Sequence, residues 1–308
     1  NYNFKKYIYL IFLIILFSVI SFTTLRFFTK NDSHDKLIDV SIIQLNFQSN
    51  QYLSKDKAHS KFAEIIDIIQ NSESELIIFG ENDFPFLMDL SSINFIQTYL
   101  RNNQNIIIGS TRSDKKQFYN SFFLINKKNY HKFDKKILVP FGEFIPFRSI
   151  FSFMKYIAGT IDFTKGNDIR LLKLNNTTGI IPVICYEIIY FWKLINQENL
   201  NSNLIINLTN DTWFGAFSGP YQHFYFSKLR AAEYNKSVIR VSNNGVSAFI
   251  NNKGEIIHFT KLNEKSIITF QLPIIMSENN NLEFHRIVFG FFLLMTFLCF
   301  LFNKSYES

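Results

Sequence analysis

Between residues 30 and 285, short apolar runs alternate with amphipathic ones. "ELIIFGE" (75–81), "NIIIGST" (105–111), "IIPVICY" (180–186), "NLIINLT" (203–209) and "SVIRVSN" (237–243) are rich in Ile and Val and bounded by Gly, Asn or Ser. Runs this short and this rich in β-branched residues predict buried strands. "KDKAHSKFAEIIDIIQNS" (55–72) and "PYQHFYFSKLRAAEYNK" (220–236) carry apolar residues at three- and four-residue spacing, which predicts helices. Strands and helices in alternation predict an α/β domain with helices packed on a sheet. The chain shows no internal repeat and no low-complexity linker.

The pattern changes at both ends. "YIYLIFLIILFSVISFTTL" (7–25) carries no charge, and its length matches the ~20 residues a helix needs to cross the hydrocarbon core. Lys5 and Lys6 precede it as in a secretory signal, but "SFTTLRFFTK" offers no small-x-small cleavage site, so an uncleaved spanning helix is expected. "IVFGFFLLMTFLCFLF" (287–302) is a second uncharged run, with no polar face to suit a buried amphipathic helix. The expected organisation is a transmembrane helix and linker over 1–29, a catalytic domain over 30–285, and a second transmembrane helix with a tail over 286–308. Both termini then share one side of the bilayer, and the flanking lysines and arginines barely decide which. The first residue is Asn, which suits the C-terminal part of a longer protein.

Composition narrows the classes. The 308 residues are 47% hydrophobic, ample for a buried core. A net charge of +7 would suit nucleic acid, but the lysines are scattered and no helix-turn-helix, zinc-knuckle or RNA-binding signature accompanies them, so no nucleic-acid partner is expected. The two cysteines, Cys185 and Cys299, lie far apart, which supports neither a disulfide framework nor a Cys-x-x-Cys metal site. No metal and no organic cofactor is expected.

Each cysteine therefore needs its own account. Cys185 stands at the end of an apolar run, where side chains emerge at the rim of a sheet and a thiol is well placed for nucleophilic attack. Its local sequence fits a simple buried core cysteine equally. Two other places carry complementary chemistry. Glu81 in "IIFGENDFPF" (77–86) follows four apolar residues into a Pro-containing turn, and "HKFDKKILVPFGEFIPF" (131–147) runs from a basic stretch into a Pro/Gly-punctuated segment that holds Glu143. A charged residue at a strand end is usually a solvated cap. A carboxylate, an ammonium and a thiol together are a stronger signal than any one of them.

At this point the sequence resembles the carbon–nitrogen hydrolase (nitrilase) superfamily, whose sites use Glu, Lys and Cys in that chain order. Within it the chain is most similar to the apolipoprotein N-acyltransferase family, through "KKILVPFGEFIP" (135–146), "ICYEI" (184–188), "NLTNDTWFG" (207–215) and "VIRVSNNGVSAFINNKGEI" (238–256). The resemblance covers roughly residues 38–302. It implies a nitrilase-like αββα sandwich flanked by transmembrane helices, in a bacterial inner membrane, with the catalytic domain on the periplasmic side. The implied reaction moves a phospholipid acyl chain, through a thioester on Cys185, to the N-terminal diacylglyceryl-cysteine of an apolipoprotein; the partners are membrane lipid and that acceptor, and the enzyme is a monomer. Glu81 is the implied general base, and Lys135, eight positions before Glu143, the implied oxyanion stabiliser. Glu143, Tyr186 and Glu187 match positions that place the lysine and shape the pocket. Trp213 and Phe214 match a motif near the site, against a plain reading of core packing. His223 fits a satisfied helix histidine better than a catalyst. "EFIPFRSIFSFMKYIAGTIDF" (143–163) suits either a loop over acyl chains or an ordinary packed segment.

The chain also departs from that family. Phe79 and Gly80 stand where Trp-Pro is usual, Tyr52 or Leu53 falls where a Trp is common, and one N-terminal span is evident where the family has several. The alternative function is a membrane-tethered amidase or nitrilase that hydrolyses a small amide with the same three residues; a third reading is an inactive membrane-anchored binding protein.

Overall fold

The computed structural model describes residues 12–13, 15–16, 34–47, 53–146, 162–215, 217–275, 290–291 and 293–295. Two six-stranded sheets stack face to face, and helices cover both outer faces. The first sheet holds β1 (His34–Gln44), β2 (Leu76–Ile78), β3 (Asn105–Asp114), β4 (Gln117–Asn126), β5 (Tyr130–Asp134) and β12 (Ser266–Ile275), in the order β12-β1-β2-β3-β4-β5. The second holds β6 (Leu172–Lys173), β7 (Gly179–Ile184), β8 (Leu204–Thr209), β9 (Ser237–Ser242), β10 (Ala248–Ile250) and β11 (Ile256–Phe259), in the order β11-β10-β9-β8-β7-β6.

Each sheet has three parallel strands at its centre, β1-β2-β3 in one and β7-β8-β9 in the other, with antiparallel neighbours on both sides. Central parallel strands are covered on both faces and so read as continuous apolar runs, which is why the Ile/Val segments were legible. The alternation sorts their side chains. Ile107 of β3 and Ile180, Leu204 and Ile206 of the second sheet fill the layer between the sheets together with Val40, Ile42, Ile78 and Phe122. Ile106 and Ile108 face the other way, onto Ile65 and Ile69 of helix α1 (Lys55–Asn71) and Ile93 and Ile96 of α2 (Leu90–Tyr99). Ile181, Val183 and Ile205 meet Ala231 and Tyr234 of α3 (Ser218–Tyr234). Each fully buried Ile or Leu contributes about 1.5–3 kcal/mol.

The layered α/β sandwich expected from the sequence is the fold observed. Two expected boundaries need correction. The strand expected over 75–81 is only Leu76–Ile78, and Glu81 lies in the turn beyond it. The strand expected over 180–186 stops at Ile184, because Cys185 opens a 3₁₀ turn, Cys185–Ile189. Seven of the strands described, β1, β4, β5, β6, β10, β11 and β12, were not read in advance, and four of them, β5, β6, β11 and β12, sit at sheet edges. The two apolar runs at 7–25 and 287–302 lie mostly outside the described residues, as does most of segment 143–163. The few residues described within those runs are helical. Among the described residues no helix is long and apolar enough to cross a membrane.

Candidate active site

The carboxyl ends of β2, β5, β7, β8 and β9 all lead to one rim of the sandwich. The backbone itself stitches the two sheets together there: Glu81 N–H donates to the Thr209 carbonyl at 3.4 Å and Asn46 N–H to the Asn243 carbonyl at 2.7 Å, while Asn243 N–H joins the ends of β8 and β9 by donating to the Thr209 carbonyl at 3.1 Å. Loops at such a rim are where α/β sheets present ligand-binding groups. Glu81 follows β2, Lys135 follows β5 and Cys185 follows β7, so each enters the site from a different strand end.

Glu81 is held by the turn that carries it. Gly80 N–H donates to the Asp83 carboxylate at 2.6 Å, and Asp83 pairs with the buried Lys61 at 3.3 Å. The Gly80 that departs from the family pattern thus has a local reason, since a proline could not make this donation and a Cβ here would lie 2.9 Å from Asp83 Oδ2. Asn82 takes a left-handed φ of 52°, and Gly109 of β3 passes so close beneath that a Cβ would meet Glu81 Cα at 2.6 Å.

Lys135 is almost fully buried, at 1% exposure. Its Nζ lies 2.9 Å from Glu143 Oε1 and 3.5 Å from Glu81 Oε1, while Lys136 is half-buried and contributes its backbone N–H to Glu187. Asn120 of β4 joins the two carboxylates, its Nδ2 donating to Glu81 Oε1 at 2.8 Å and to Glu143 Oε1 at 2.9 Å. Glu143 Oε2 accepts Val139 N–H at 2.9 Å, which folds the Pro-Phe-Gly-Glu turn back onto the lysine. Burial works against the ammonium, but the Glu143 and Glu81 charges outweigh it and hold Lys135 above its ordinary pKa.

Cys185 is 7% exposed and takes a φ of 50°, a left-handed conformation uncommon for a residue with a Cβ. Its thiol lies beside the Glu81 carboxylate and the Thr209 hydroxyl, close enough to feel both. Burial first, and then the Glu81 charge, push its pKa up to about 12 against the opposing pull of Lys135. The resting sulfur is therefore a thiol. Burial likewise raises the Glu81 pKa, with Lys135 opposing and Glu143 adding to the rise, which makes Glu81 a better acceptor for the thiol proton.

Glu187 does not reach the thiol or the ammonium directly. Arg170 grips it with two hydrogen bonds of 2.7 and 2.8 Å, and it accepts backbone N–H groups from Lys136, Ile137 and Ile184. It therefore clips the segment just after Lys135 to the end of β7 and the turn that begins at Cys185. Although burial penalises its charge, Arg170 outweighs that and holds its pKa below the usual carboxylate range. Tyr186 packs against the inter-sheet core and meets Tyr190 edge-on at 5.6 Å. Trp213 is 58% exposed, which rules out core packing for it, whereas Phe214 packs against the His223 ring at 5.2 Å. His223 is a satisfied, buried helix histidine as expected, yet what satisfies it is part of the site: Asp211 Oδ1 at 2.9 Å and the Cys185 carbonyl at 3.3 Å.

Sequence reasoning missed Asn120, Arg170, Thr209, Asp211 and Arg240. Thr209 and Asp211 were visible inside "NLTNDTWFG" and Arg240 inside "VIRVSNNGVSAFINNKGEI", whereas Asn120 and Arg170 showed only as polar residues among apolar ones. Among the described residues no group of His, Cys, Asp and Glu has the arrangement to hold a metal ion.

Residues 39–276 match the carbon–nitrogen hydrolase family. Curated relatives include the apolipoprotein N-acyltransferases of Rickettsia typhi, 31% identical over 80% of this chain and 51% of that protein, and of Rickettsia prowazekii, 35% identical over 68% and 44%. That of Wigglesworthia glossinidia brevipalpis is 32% identical over 82% of this chain and 53% of its own. The chain spans about half the length of these relatives. Among solved structures, a CN-hydrolase superfamily protein from Xanthomonas campestris superposes with a TM-score of 0.55 at 14% identity, covering 83% of this chain and 96% of the other. Nit3 of Saccharomyces cerevisiae gives 0.53 at 14% identity, covering 79% and 93%. At such identity these structures speak for the fold alone.

Proposed function

The chain belongs to the carbon–nitrogen hydrolase family, and on that premise we propose that it carries the acyl-transfer site of an apolipoprotein N-acyltransferase. The observation that carries the chemistry is the buried cluster of Glu81, Lys135 and Cys185, backed by Glu143. The similarity to curated N-acyltransferases directs that chemistry to a lipid and a lipoprotein.

In the first half-reaction Glu81 takes the thiol proton as Sγ attacks the ester carbonyl of a phospholipid. The bond from that carbonyl to the glycerol oxygen breaks, the oxygen takes the proton from Glu81, and a lysophospholipid leaves an acyl thioester on Cys185. In the second half Glu81 takes a proton from the α-amino group of a diacylglyceryl-cysteine as its nitrogen attacks the thioester. The C–S bond breaks and the sulfur regains its proton. Each tetrahedral intermediate carries an oxyanion beside the Lys135 ammonium, a donor of a kind typically worth about 3 kcal/mol. Because burial keeps the thiol neutral at rest, nucleophile and charge develop together in the transition state, where the lysine acts.

On the same reading the domain over 30–285 faces the periplasm as a monomer, tethered to the bacterial inner membrane by the apolar runs 7–25 and 287–302. Support comes from the uncharged sequence of those runs and from the aromatic side chains exposed on the turns after β7 and β8 and on α3: Trp192, Trp213, Phe217, Tyr221 and Tyr225. Aromatic rings of this kind favour the bilayer interface. The test is transfer in detergent from phosphatidylethanolamine to a synthetic diacylglyceryl-cysteine peptide. The expected result is N-acylated peptide and lysophospholipid in equal amounts. Ammonia release from small amides with no transfer would replace this reading by an amidase.

A further inference from the structure

We propose that His223, together with Asn207, is a positioning residue for Cys185: the two side chains grip the Cys185 carbonyl and so hold that residue in its left-handed conformation, with the thiol aimed at Glu81. The inference rests on the reading of Cys185 as the nucleophile.

A residue with a Cβ does not hold φ = 50° without help, so something must fix the peptide on either side of Cys185. Two donors converge on its carbonyl oxygen, Asn207 Nδ2 and His223 Nε2, each at 3.3 Å. A carbonyl oxygen can only accept, so Nε2 carries the proton. That requirement admits two forms of the ring, the neutral Nε2–H tautomer, whose Nδ1 accepts from Arg240 NH2 at 3.3 Å but sets its lone pair against Asp211 Oδ1 at 2.9 Å, and the imidazolium, whose Nδ1–H donates to that same oxygen. It excludes the neutral Nδ1–H ring, whose Nε2 lone pair would face the carbonyl.

Both arms end on one guanidinium. Arg240 NH1 donates to Asn207 Oδ1 at 2.9 Å, which turns the Asn207 amide so that Nδ2 faces Cys185, and Arg240 NH2 pairs with Asp211 Oδ2 at 2.7 Å. Arg240, Asp211, Asn207 and His223 are all buried, and Phe214 packs against the ring from the side. Gly245 is the residue that lets the network close, since a Cβ there would lie 1.8 Å from Asp211 Oδ2. Neither His223 nor Asn207 is placed on the sulfur. Their effect on the reaction passes through the backbone of Cys185, and a displacement of a nucleophile by about 1 Å can cost a hundredfold in rate.

The experiment compares His223→Gln with His223→Met in the full chain, in a Cys299→Ser background. Gln supplies an N–H where Nε2 stood, and Met matches its size without a donor. Two rates are measured: alkylation of Cys185 by iodoacetamide, which needs no lipid, and acylation by phosphatidylethanolamine. For His223→Met the expected result is about tenfold slower alkylation and a ten- to hundredfold lower kcat for acylation, with KM within about twofold of the parent chain. His223→Gln should return both rates to within about threefold. Equal behaviour of the two variants, whether both intact or both impaired, would overturn the proposal. If His223→Met fails to fold, Asn207→Asp keeps the oxygen held by Arg240, loses the N–H toward Cys185 and should slow alkylation in the same direction; an unchanged rate there also overturns it. The predicted alkylation pattern with no acylation in the parent chain would instead sink the acyltransferase reading and leave the positioning role standing.

Discussion

Lys135 keeps its ammonium in a place that excludes water because two carboxylates, Glu143 and Glu81, lie within 2.9 and 3.5 Å of it. The same arrangement sets the pH dependence. Burial raises the Glu81 pKa above its ordinary value of 4.5, Lys135 opposes the rise and the Glu143 charge adds to it. On the proposed mechanism Glu81 acts as base only when ionised, so acylation should run at its full rate above that raised pKa and be lost as pH falls through it. Glu143→Gln removes one of the causes of the rise while keeping Lys135 in place. Its pH–rate profile should move to lower pH on the acid side, with a rate at the plateau about tenfold lower; an unmoved or upward-shifted limb would contradict the assignment of Glu81 as base. Glu81 and Cys185 were legible from sequence because each stands where an apolar run stops, whereas Lys135 stands in a basic stretch and was singled out only by its spacing to Glu143 in the family resemblance. Their neighbours were not, since Asn120 and Arg170 lie among strand-like residues whose direction no local pattern reveals.

At the level of elements, the site depends on strand ends kept in register by buried clips. Glu187 ties the segment after β5 to the β7 end, and its removal would leave the Arg170 guanidinium, 3% exposed, without its carboxylate partner, leaving the Pro182 carbonyl, at 2.7 Å, to accept from it. Glu187→Ala should cost about 3–5 kcal/mol, read from the urea midpoint. Because Arg170 holds the Glu187 pKa low, the stability this pair adds is present above the ordinary carboxylate pKa and is lost as pH falls through the lowered one; the variant should lack that part of the acid transition. Gly109→Ala places a methyl 2.6 Å from Glu81 Cα, a backbone atom that cannot turn aside. A loss of about 1–3 kcal/mol is expected, with a fall in acylation rate larger than the same variant's fall in folded fraction. The elements themselves were readable where parallel strands are buried on both faces and give unbroken Ile/Val runs. The turns were less so: the strand ends at Ile184, two residues short of the expected 180–186, where Ile184 N–H is taken by Glu187 and the chain tightens into a 3₁₀ turn from Cys185.

Across the whole molecule, each sheet contributes half of the site. Glu81, Lys135 and Asn120 come from the first, and Cys185 and Thr209 from the second, so the thiol and its base meet only when the two sheets are stacked. The layered architecture followed from the alternation of strand and helix patterns, whereas the pairing of two sheets came only with the family resemblance, since register across a core is set by side-chain packing and not by any local run. The central claim is that the sulfur of Cys185 carries an acyl group. Intact-mass analysis of the detergent-purified chain after incubation with phosphatidylethanolamine, with Cys185→Ala alongside, tests it most directly. The account predicts one acyl adduct, released by hydroxylamine, on the parent chain and none on the variant; a folded parent chain that stays at its unmodified mass, or an equal adduct on Cys185→Ala, would contradict it.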